Sequence, residues 1–169
     1  MTEAQLMARL SLDWSGDVSV DTGLPALDHL LGVLARYGRF DLALEVAPGS
    51  AQSQIEAAAQ ALGEVLHAAL REPGVRGHAI GAVPADEALA SVALDVAERP
   101  RVVSNVDLSS VHVAGLGGDV TARFLDELAT TAGIVLHVRL AHGEDERHVL
   151  DSIFKALGVA LAQACRPRR

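Results

Sequence analysis

A histidine and a carboxylate near the start of the last helical segment have the spacing of a transition-metal site. His148 and Asp151 are three residues apart, which places both side chains on one face of a helix. Imidazole and carboxylate groups that converge in this way bind divalent transition metals in helical proteins. The same pair is also compatible with ordinary capping and dipole interactions at a helix start. His29 and the acidic pair Asp86–Glu87 are further candidates, although such an acidic pair could simply lead into a helix or strand.

Two basic side chains could bind an anionic ligand. Lys155 lies one helical turn after Asp151, so an ion pair between these two residues is an alternative to ligand binding. Arg99 could receive an anion or pair with Asp95. Neither residue decides a function by itself, and both stay candidates.

A repeated segment relates the two halves of the chain. Residues 61–69 read ALGEVLHAA and residues 156–164 read ALGVALAQA, so that Ala, Leu, Gly, Leu and Ala recur 95 positions apart. Five positions before each segment lies a carboxylate, Glu56 in the first and Asp151 in the second. A match at a fixed period within one chain indicates duplication. Chance agreement of two helices rich in Ala and Leu is the alternative, but core packing alone does not require the matched carboxylates.

The hydrophobic pattern predicts the same order of elements in both halves, which supports the duplication. The first half is predicted to contain strands at 8–14 and 17–21 around a Ser15–Gly16 hairpin turn, a helix at 25–37, a strand at 40–46 and a helix at 51–71. The second half is predicted to contain strands at 88–96 and 101–106, a helix at 119–131 after the glycine-rich run 115–118, a strand at 134–140 and a helix at 146–165. The chain is therefore predicted to be an α+β protein of two ββαβα halves, residues 1–74 and 75–169, in one compact pseudo-symmetric pair.

Composition excludes several classes of protein. Half of the 169 residues are hydrophobic but only 3% are aromatic, so the core must consist of Ala, Val and Leu. The net charge of −8 argues against nucleic-acid binding, and the basic residues 166–169 are expected to form a solvated tail. The single Cys165 excludes an internal disulfide framework. Without a signal peptide or an apolar run of about 18 residues, we expect a cytoplasmic protein that does not enter a membrane.

Several segments of the chain, in order and near the right spacing, resemble the motifs of the imidazoleglycerol-phosphate dehydratase family. The first is TGLPALDHLL at residues 22–31, which is similar to the family's TG-[IL]-x-FLDHML. The others are GRFDL at 38–42, PADEAL at 84–89 (family PMDEAL), LD at 94–95 with RP at 99–100, AG at 132–133 with LHV at 136–138, and FKAL at 154–157. The resemblance runs from about residue 18 to residue 165, which makes it far more specific than a single pattern match.

The resemblance implies a fold, an assembly and a reaction. The fold is the ribosomal protein S5 domain 2-like one, in which helices pack between two four-stranded mixed sheets. The implied assembly is a high-order homo-oligomer, a 24-mer or its trimer building block, with active sites between subunits. Two Mn²⁺ ions, bound largely by one HHxxE motif from each half, would promote loss of water from imidazole glycerol phosphate in histidine biosynthesis.

Carried onto this chain, the motifs assign three kinds of site residue. The implied metal ligands are His29, His148 and Asp151. The implied catalytic carboxylates are Glu56 and Glu87. The side chains implied to hold the phosphate of the small phosphorylated substrate are Arg99 and Lys155.

The chain departs from the family pattern at the metal ligands. The first HHxxE motif corresponds to QSQIE at 52–56, so Gln52 and Ser53 replace histidines. The second corresponds to RHVLD at 147–151, where Arg147 replaces a histidine and Asp151 replaces a glutamate. Gln and Ser are poor ligands for a divalent transition metal, and an arginine brings a permanent positive charge. A phosphate-binding arginine of the family corresponds to His112.

These departures lead to a hypothesis and two alternatives. The hypothesis is a protein with the dehydratase fold and assembly whose metal-dependent catalysis is weakened or lost, since fold and site are separable. The first alternative is a catalytically silent homologue that serves as a structural or regulatory subunit. The second is a binder of another small phosphorylated ligand that uses Arg99 and Lys155.

Overall fold

Four helices pack between two mixed β-sheets in the computed structural model, which describes residues 6–110 and 119–168. In the first half the elements are β1 (Leu6–Ser11), β2 (Val18–Asp21), α1 (Pro25–Gly38), β3 (Asp41–Val46) and α2 (Ala51–Ala69). In the second half they are β4 (His78–Ala85), β5 (Ala88–Val96), β6 (Arg101–Ser104), a 3₁₀ turn (Leu108–Ser110), α3 (Val120–Ala132), β7 (Ile134–His142) and α4 (Glu146–Ala164). Within this described part, no helix is both long and apolar enough to cross a membrane.

The two sheets repeat one pairing scheme, which confirms the predicted ββαβα duplication. The first sheet has the order β1-β3-β2, with β1 antiparallel and β2 parallel to β3. The second sheet has the order β4-β5-β7-β6, with β5 antiparallel and β6 parallel to β7. Thus β5, β6, α3, β7 and α4 repeat β1, β2, α1, β3 and α2, and β4 is an additional strand. The glycine-rich run 115–118 and His112 lie outside the described residues.

The predicted hairpin around Ser15–Gly16 is wrong. Strands β1 and β2 do not pair with each other, because β3 lies between them and pairs with both. The chain rounds the end of β3 and is held there by Asp41. The Ser15 hydroxyl donates to one oxygen of this carboxylate at 2.5 Å, and the backbone N–H groups of Ser15 and Asp17 donate to the other at 2.9 and 3.1 Å. These bonds, the hydroxyl bond foremost, lower the pKa of Asp41. Strand β1 accordingly ends at Ser11 and does not reach Trp14.

Strand β4 is absent from the sequence prediction. Its inward-facing residues are small, and it contains both Gly81 and Pro84, which weaken a strand pattern. Gly81 is needed because a Cβ there would lie 2.5 Å from the Ala156 carbonyl oxygen of α4. The pair Asp86–Glu87 is consequently the two-residue turn of a β4–β5 hairpin, with Asp86 at a φ of 53°, and not the lead-in to a helix or strand. The four-strand expectation holds for the second sheet, whereas the described part of the first sheet has three strands.

The helices exchange partners between the halves. Helix α1 packs against α4, and α2 packs against α3. Gly158 permits the first contact, since a Cβ there would overlap the Leu34 carbonyl oxygen of α1. Gly63, which holds the same place in the repeat, permits the second, since a Cβ there would lie 2.6 Å from the Thr131 side chain. The repeated glycine therefore has a packing reason.

One buried hydroxyl fastens the β4–β5 hairpin to α4. Ser152 is fully buried, and its Oγ donates to the Val83 carbonyl at 2.6 Å and accepts from the Ala90 N–H at 2.8 Å. The β5–β7 register shifts between Leu89 and Ala90, and the serine satisfies the amide at this irregularity. The bond thus helps to fix the hairpin that carries Glu87.

We expect Ser152→Ala to lower the free energy of unfolding by about 1–3 kcal/mol, because it leaves a buried donor and a buried acceptor unpaired. Urea denaturation monitored by circular dichroism measures the effect. Ser91→Ala, on the outer face of β5, is the control serine and should change the midpoint little. Equal losses in the two variants would contradict this role.

Candidate functional site

The hairpin turn of the second sheet meets the start of α4 through Glu87. One oxygen of the Glu87 carboxylate accepts the backbone N–H groups of Glu144 and Asp145 at 2.7 and 2.9 Å. The other lies 2.5 Å from Nδ1 of His148 in the first turn of α4. Asp145 caps the helix by accepting from the Arg147 N–H at 2.8 Å. A carboxylate at a helix N-terminus also benefits from the helix dipole.

This geometry pairs the Glu87 carboxylate with the His148 imidazole, and each shifts the pKa of the other. The N–H donors of Asp145 and Glu144, aided by His148, lower the pKa of Glu87 to about 2 against the opposing effect of desolvation. The hydrogen bond that the Glu87 carboxylate accepts from the imidazole in turn raises the pKa of His148, with a further contribution from the charge of Asp145. Glu87 is therefore ionised at neutral pH and fixes the orientation of the imidazole.

A second imidazole joins the same region through the α1–α4 contact. His29 Nε2 lies 3.0 Å from the Asp151 carboxylate, one helical turn from His148. A cleft of about 410 Å³ opens here, lined by Ala26, His29, Leu30, Arg147, His148, Leu150 and Asp151. We name His29, Glu87, His148 and Asp151 the α4 cluster. The structure thus brings together four of the residues that the sequence motifs assign.

Two residues of the α4 cluster, Glu87 and His148, suit a divalent cation together with the neighbouring Asp86, whereas His29 and Asp151 are not part of this group. Asp86, Glu87 and His148 each offer one ligand atom, and these atoms lie within 4.8 Å of one another. Nitrogen and oxygen donors of this kind are those that Mn²⁺ and its neighbours accept. Arg147, predicted to bring a charge into the site, is 71% exposed at the rim of the cleft, with Nη2 3.6 Å from Asp145. The family motifs did not predict Asp86 as a metal ligand, although the sequence analysis had noted the acidic pair Asp86–Glu87.

The corresponding residues of α2 form a different group, which we name the α2 cluster: Gln52, Ser53, Glu56 and Arg123. Gln52 Nε2 donates to Glu56 Oε1 at 3.2 Å, and Arg123 Nη1 lies 4.0 Å from the same oxygen. The Ser53 hydroxyl is bonded to the Ser50 carbonyl at 2.9 Å, at the start of its own helix. The α2 cluster contains no imidazole and a single carboxylate that already faces a guanidinium. It does not suit a divalent metal.

Of the two residues predicted to hold phosphate, only Lys155 lies on the side of the α4 cluster. Its Nζ donates to the Pro84 carbonyl at 3.3 Å and sits 4.8 Å above the Tyr37 ring. Arg99 is exposed in the turn after β5, whereas Glu87 immediately precedes β5. A strand of that length separates them by roughly 25 Å, at about 3.3 Å per residue. One small ligand cannot reach both residues within one chain.

A basic cleft that the sequence did not predict lies at the Arg99 end of the second sheet. Its volume is about 540 Å³, and its lining is Arg76, His78, Gln163, Arg166, Pro167 and Arg168. Residues 166–168 are exposed, as predicted, but they are not a free tail, because Pro167 forms a β-bridge with Val75 and the Arg168 N–H donates to the Gly74 carbonyl at 2.7 Å. The pairing is with residues 74–76, which are distant in sequence, so the local sequence RPRR does not predict it.

Fold and site together define a duplicated α+β protein with an imidazole–carboxylate cluster suited to a divalent metal. The model of the imidazoleglycerol-phosphate dehydratase family matches residues 22–161. The chain belongs to this family. It is 35% identical to the imidazoleglycerol-phosphate dehydratase of Pelobacter propionicus over 98% of this chain and 87% of that protein, and 37% identical to that of Desulfitobacterium hafniense over 97% and 86%.

Solved structures agree with this assignment. The imidazoleglycerol-phosphate dehydratase of Staphylococcus aureus superposes with a TM-score of 0.87 at 25% identity, covering 99% of this chain and 97% of that chain. The enzyme of Pyrococcus furiosus superposes with a TM-score of 0.84 at 23% identity, covering 96% and 89%, and supports the fold alone. The predicted fold class is confirmed.

Proposed function

We propose that this chain is an imidazoleglycerol-phosphate dehydratase-like protein of histidine biosynthesis, a cytoplasmic carbon–oxygen lyase whose activity is weak or lost. The family supports the reaction class. The observation that carries the reduced activity is the contrast between the clusters: the α4 cluster keeps imidazole and carboxylate donors, and the α2 cluster has none that can hold a metal. A reaction that needs a metal at both clusters would lose one of its two metal sites.

In this proposal the residues of the α4 cluster hold one Mn²⁺, with Glu87 and His148 as the principal ligands. When bound, such an ion supplies Lewis-acid polarisation of the substrate. The protein groups set the ionisation and orientation of the side chains around it. The amides of Glu144 and Asp145 keep Glu87 ionised, Glu87 orients the His148 imidazole, and Asp151 holds His29 through Nε2, where a proton can be exchanged.

The proposed active site is completed by a second copy of the chain. The roughly 25 Å between Glu87 and Arg99 supports a site in which one subunit supplies the α4 cluster and Lys155 while another supplies Arg99 for the phosphate. The outer face of the second sheet exposes Ile80, Leu89 and Val103 by 63%, 41% and 40%. An apolar sheet face of this kind supports a high-order homo-oligomer, built from trimers or reaching 24 subunits as the family resemblance implies.

Metal content is the experiment that tests the proposed function. We expect the full chain, purified without chelator and dialysed against Mn²⁺, to retain one Mn²⁺ per chain by inductively coupled plasma mass spectrometry. His148→Ala should lose that ion, whereas His137→Ala, an exposed histidine on β7, should keep it. An unchanged metal content in His148→Ala would refute the assignment of the α4 cluster.

A second candidate function follows if the wild-type chain binds no Mn²⁺. The basic cleft of Arg76, Arg166 and Arg168 favours a protein that binds another small phosphorylated ligand. Saturable binding of inorganic phosphate by a metal-free chain, measured by isothermal titration calorimetry, would support this candidate.

A further inference from the structure

The duplication places two equivalent carboxylates, Glu56 and Asp151, beside chemically different partners. The 95-residue offset relates Glu56 on α2 to Asp151 on α4, and Asp28 on α1 to Arg123 on α3. In one helix pair Asp151 meets His29 of α1. In the other, Glu56 meets Arg123 of α3. The partner of the carboxylate is thus an imidazole in the α4 cluster and a guanidinium in the α2 cluster.

The guanidinium of Arg123 lies between two carboxylates. Its Nη2 lies 2.9 Å from Asp119 one turn earlier on α3, and its Nη1 lies 4.0 Å from Glu56 across the helix contact. Glu56 is oriented from its other side by Gln52. The parallel packing of α2 and α3 fixes this arrangement. Gly63 permits the close contact, and a Gln60–Glu127 hydrogen bond at 2.9 Å links the same two helices. The residue is therefore positioned by the fold.

A guanidinium has no lone pair to offer a metal, and it keeps its charge over the whole working pH range of proteins. At 4.0 Å from Glu56 it would repel a cation bound to that carboxylate, and it neutralises the negative charge that would attract one. Arg123 thus neutralises the negative charge that a bound metal would neutralise, and it prevents a metal from binding there.

We propose that Arg123 is a resident cation that replaces a divalent metal in the α2 cluster, so that the chain takes metal only at the α4 cluster. This inference deepens the proposed function, but its test is independent of dehydratase activity. Two features would then prevent metal binding at the α2 cluster. One is that Gln52 and Ser53 stand where the family motif has histidines, and the other is the presence of Arg123. Restoring the histidines alone would leave the cation in place.

The experiment counts metal at the α2 cluster alone, in full-length variants that all carry His148→Ala. Mn²⁺ affinity is measured by isothermal titration calorimetry and stoichiometry by mass spectrometry. Gln52→His with Ser53→His is expected to bind Mn²⁺ weakly. Adding Arg123→Ala should tighten binding at least tenfold and give one Mn²⁺ per chain. Adding Arg123→Lys, which keeps the charge, should not.

Melting temperature and circular dichroism verify that each variant is folded, which the exposure of Arg123 favours. Equal affinity in the histidine pair with and without Arg123 would overturn the proposal, as would tight binding with Lys at this position. Two Mn²⁺ per chain in the unmodified protein would overturn it directly. If the unmodified protein binds no Mn²⁺ but the variant that combines Gln52→His, Ser53→His and Arg123→Ala gains one, the proposed function fails and the role of Arg123 stands.

Discussion

Dehydration of imidazole glycerol phosphate by this chain, supplied with Mn²⁺, is expected to be at least about 100-fold slower than by the Pelobacter propionicus relative. Loss of supporting groups around a metal ligand already costs 10–100-fold in affinity or activity. Here the α2 cluster has no imidazole, and a guanidinium stands 4.0 Å from its single carboxylate. Steady-state kcat/KM for the two proteins, in the same buffer and at the same Mn²⁺ concentration, measures the difference.

Residual turnover must be assigned to this chain before it is interpreted. Glu87→Gln removes the charge that orients His148 and should abolish whatever activity remains. Turnover that survives this change comes from a contaminating enzyme. A rate within tenfold of the relative, abolished by Glu87→Gln, would show that the α4 cluster suffices for catalysis and that the reduced activity proposed here is wrong.

Gly158→Ala is expected to destabilise the fold by about 3 kcal/mol or more, at the upper end of the cost of overpacking a core. The added Cβ would overlap the Leu34 carbonyl oxygen, which is backbone of α1 and cannot rotate away. Helices α1 and α4 would have to separate, and His29 would move away from Asp151 with them. Urea denaturation followed by circular dichroism measures the loss, and the fall in Mn²⁺ content measures the displacement.

The equivalent position in the other helix pair provides the comparison. In Gly63→Ala the new Cβ meets the Thr131 side chain at 2.6 Å and a backbone nitrogen only at 3.3 Å. A side chain can shift, so the destabilisation should be smaller and the α4 cluster should keep its metal. If Gly63→Ala costs as much as Gly158→Ala, backbone contact is not what distinguishes the two sites.

Local signals in the sequence were sufficient for most of the fold. Alternating residues predicted β3 and β7, leucine spacing predicted α1, and the repeat predicted that α2 and α4 correspond. The failures have non-local causes. Strands β1 and β2 are neighbours in sequence, but the strand between them comes later in the chain. Strand β4 gains its place from small residues packed on α4, which a hydrophobic pattern does not reveal.

The candidate site divides in the same way. Family motifs predicted His29, Glu87, His148 and Asp151 as site residues, and the structure pairs His29 with Asp151 and His148 with Glu87. Arg123 belongs to no motif, and its importance depends on the packing of two helices distant in sequence. The repeat contains the relevant hint, because the 95-residue offset maps Arg123 onto Asp28, beside His29.

The exchange of helix partners bears on the ancestry of the molecule. Since α1 packs on α4 and α2 on α3, the contacts between halves are isologous: each half presents the same surface to the other. The architecture is that of a twofold homodimer of half-chains joined through residues 70–87, which include the additional strand β4. Fusion freed the two copies of each position to diverge. His29 and Asp151 on one side, and Arg123 and Glu56 on the other, record that divergence.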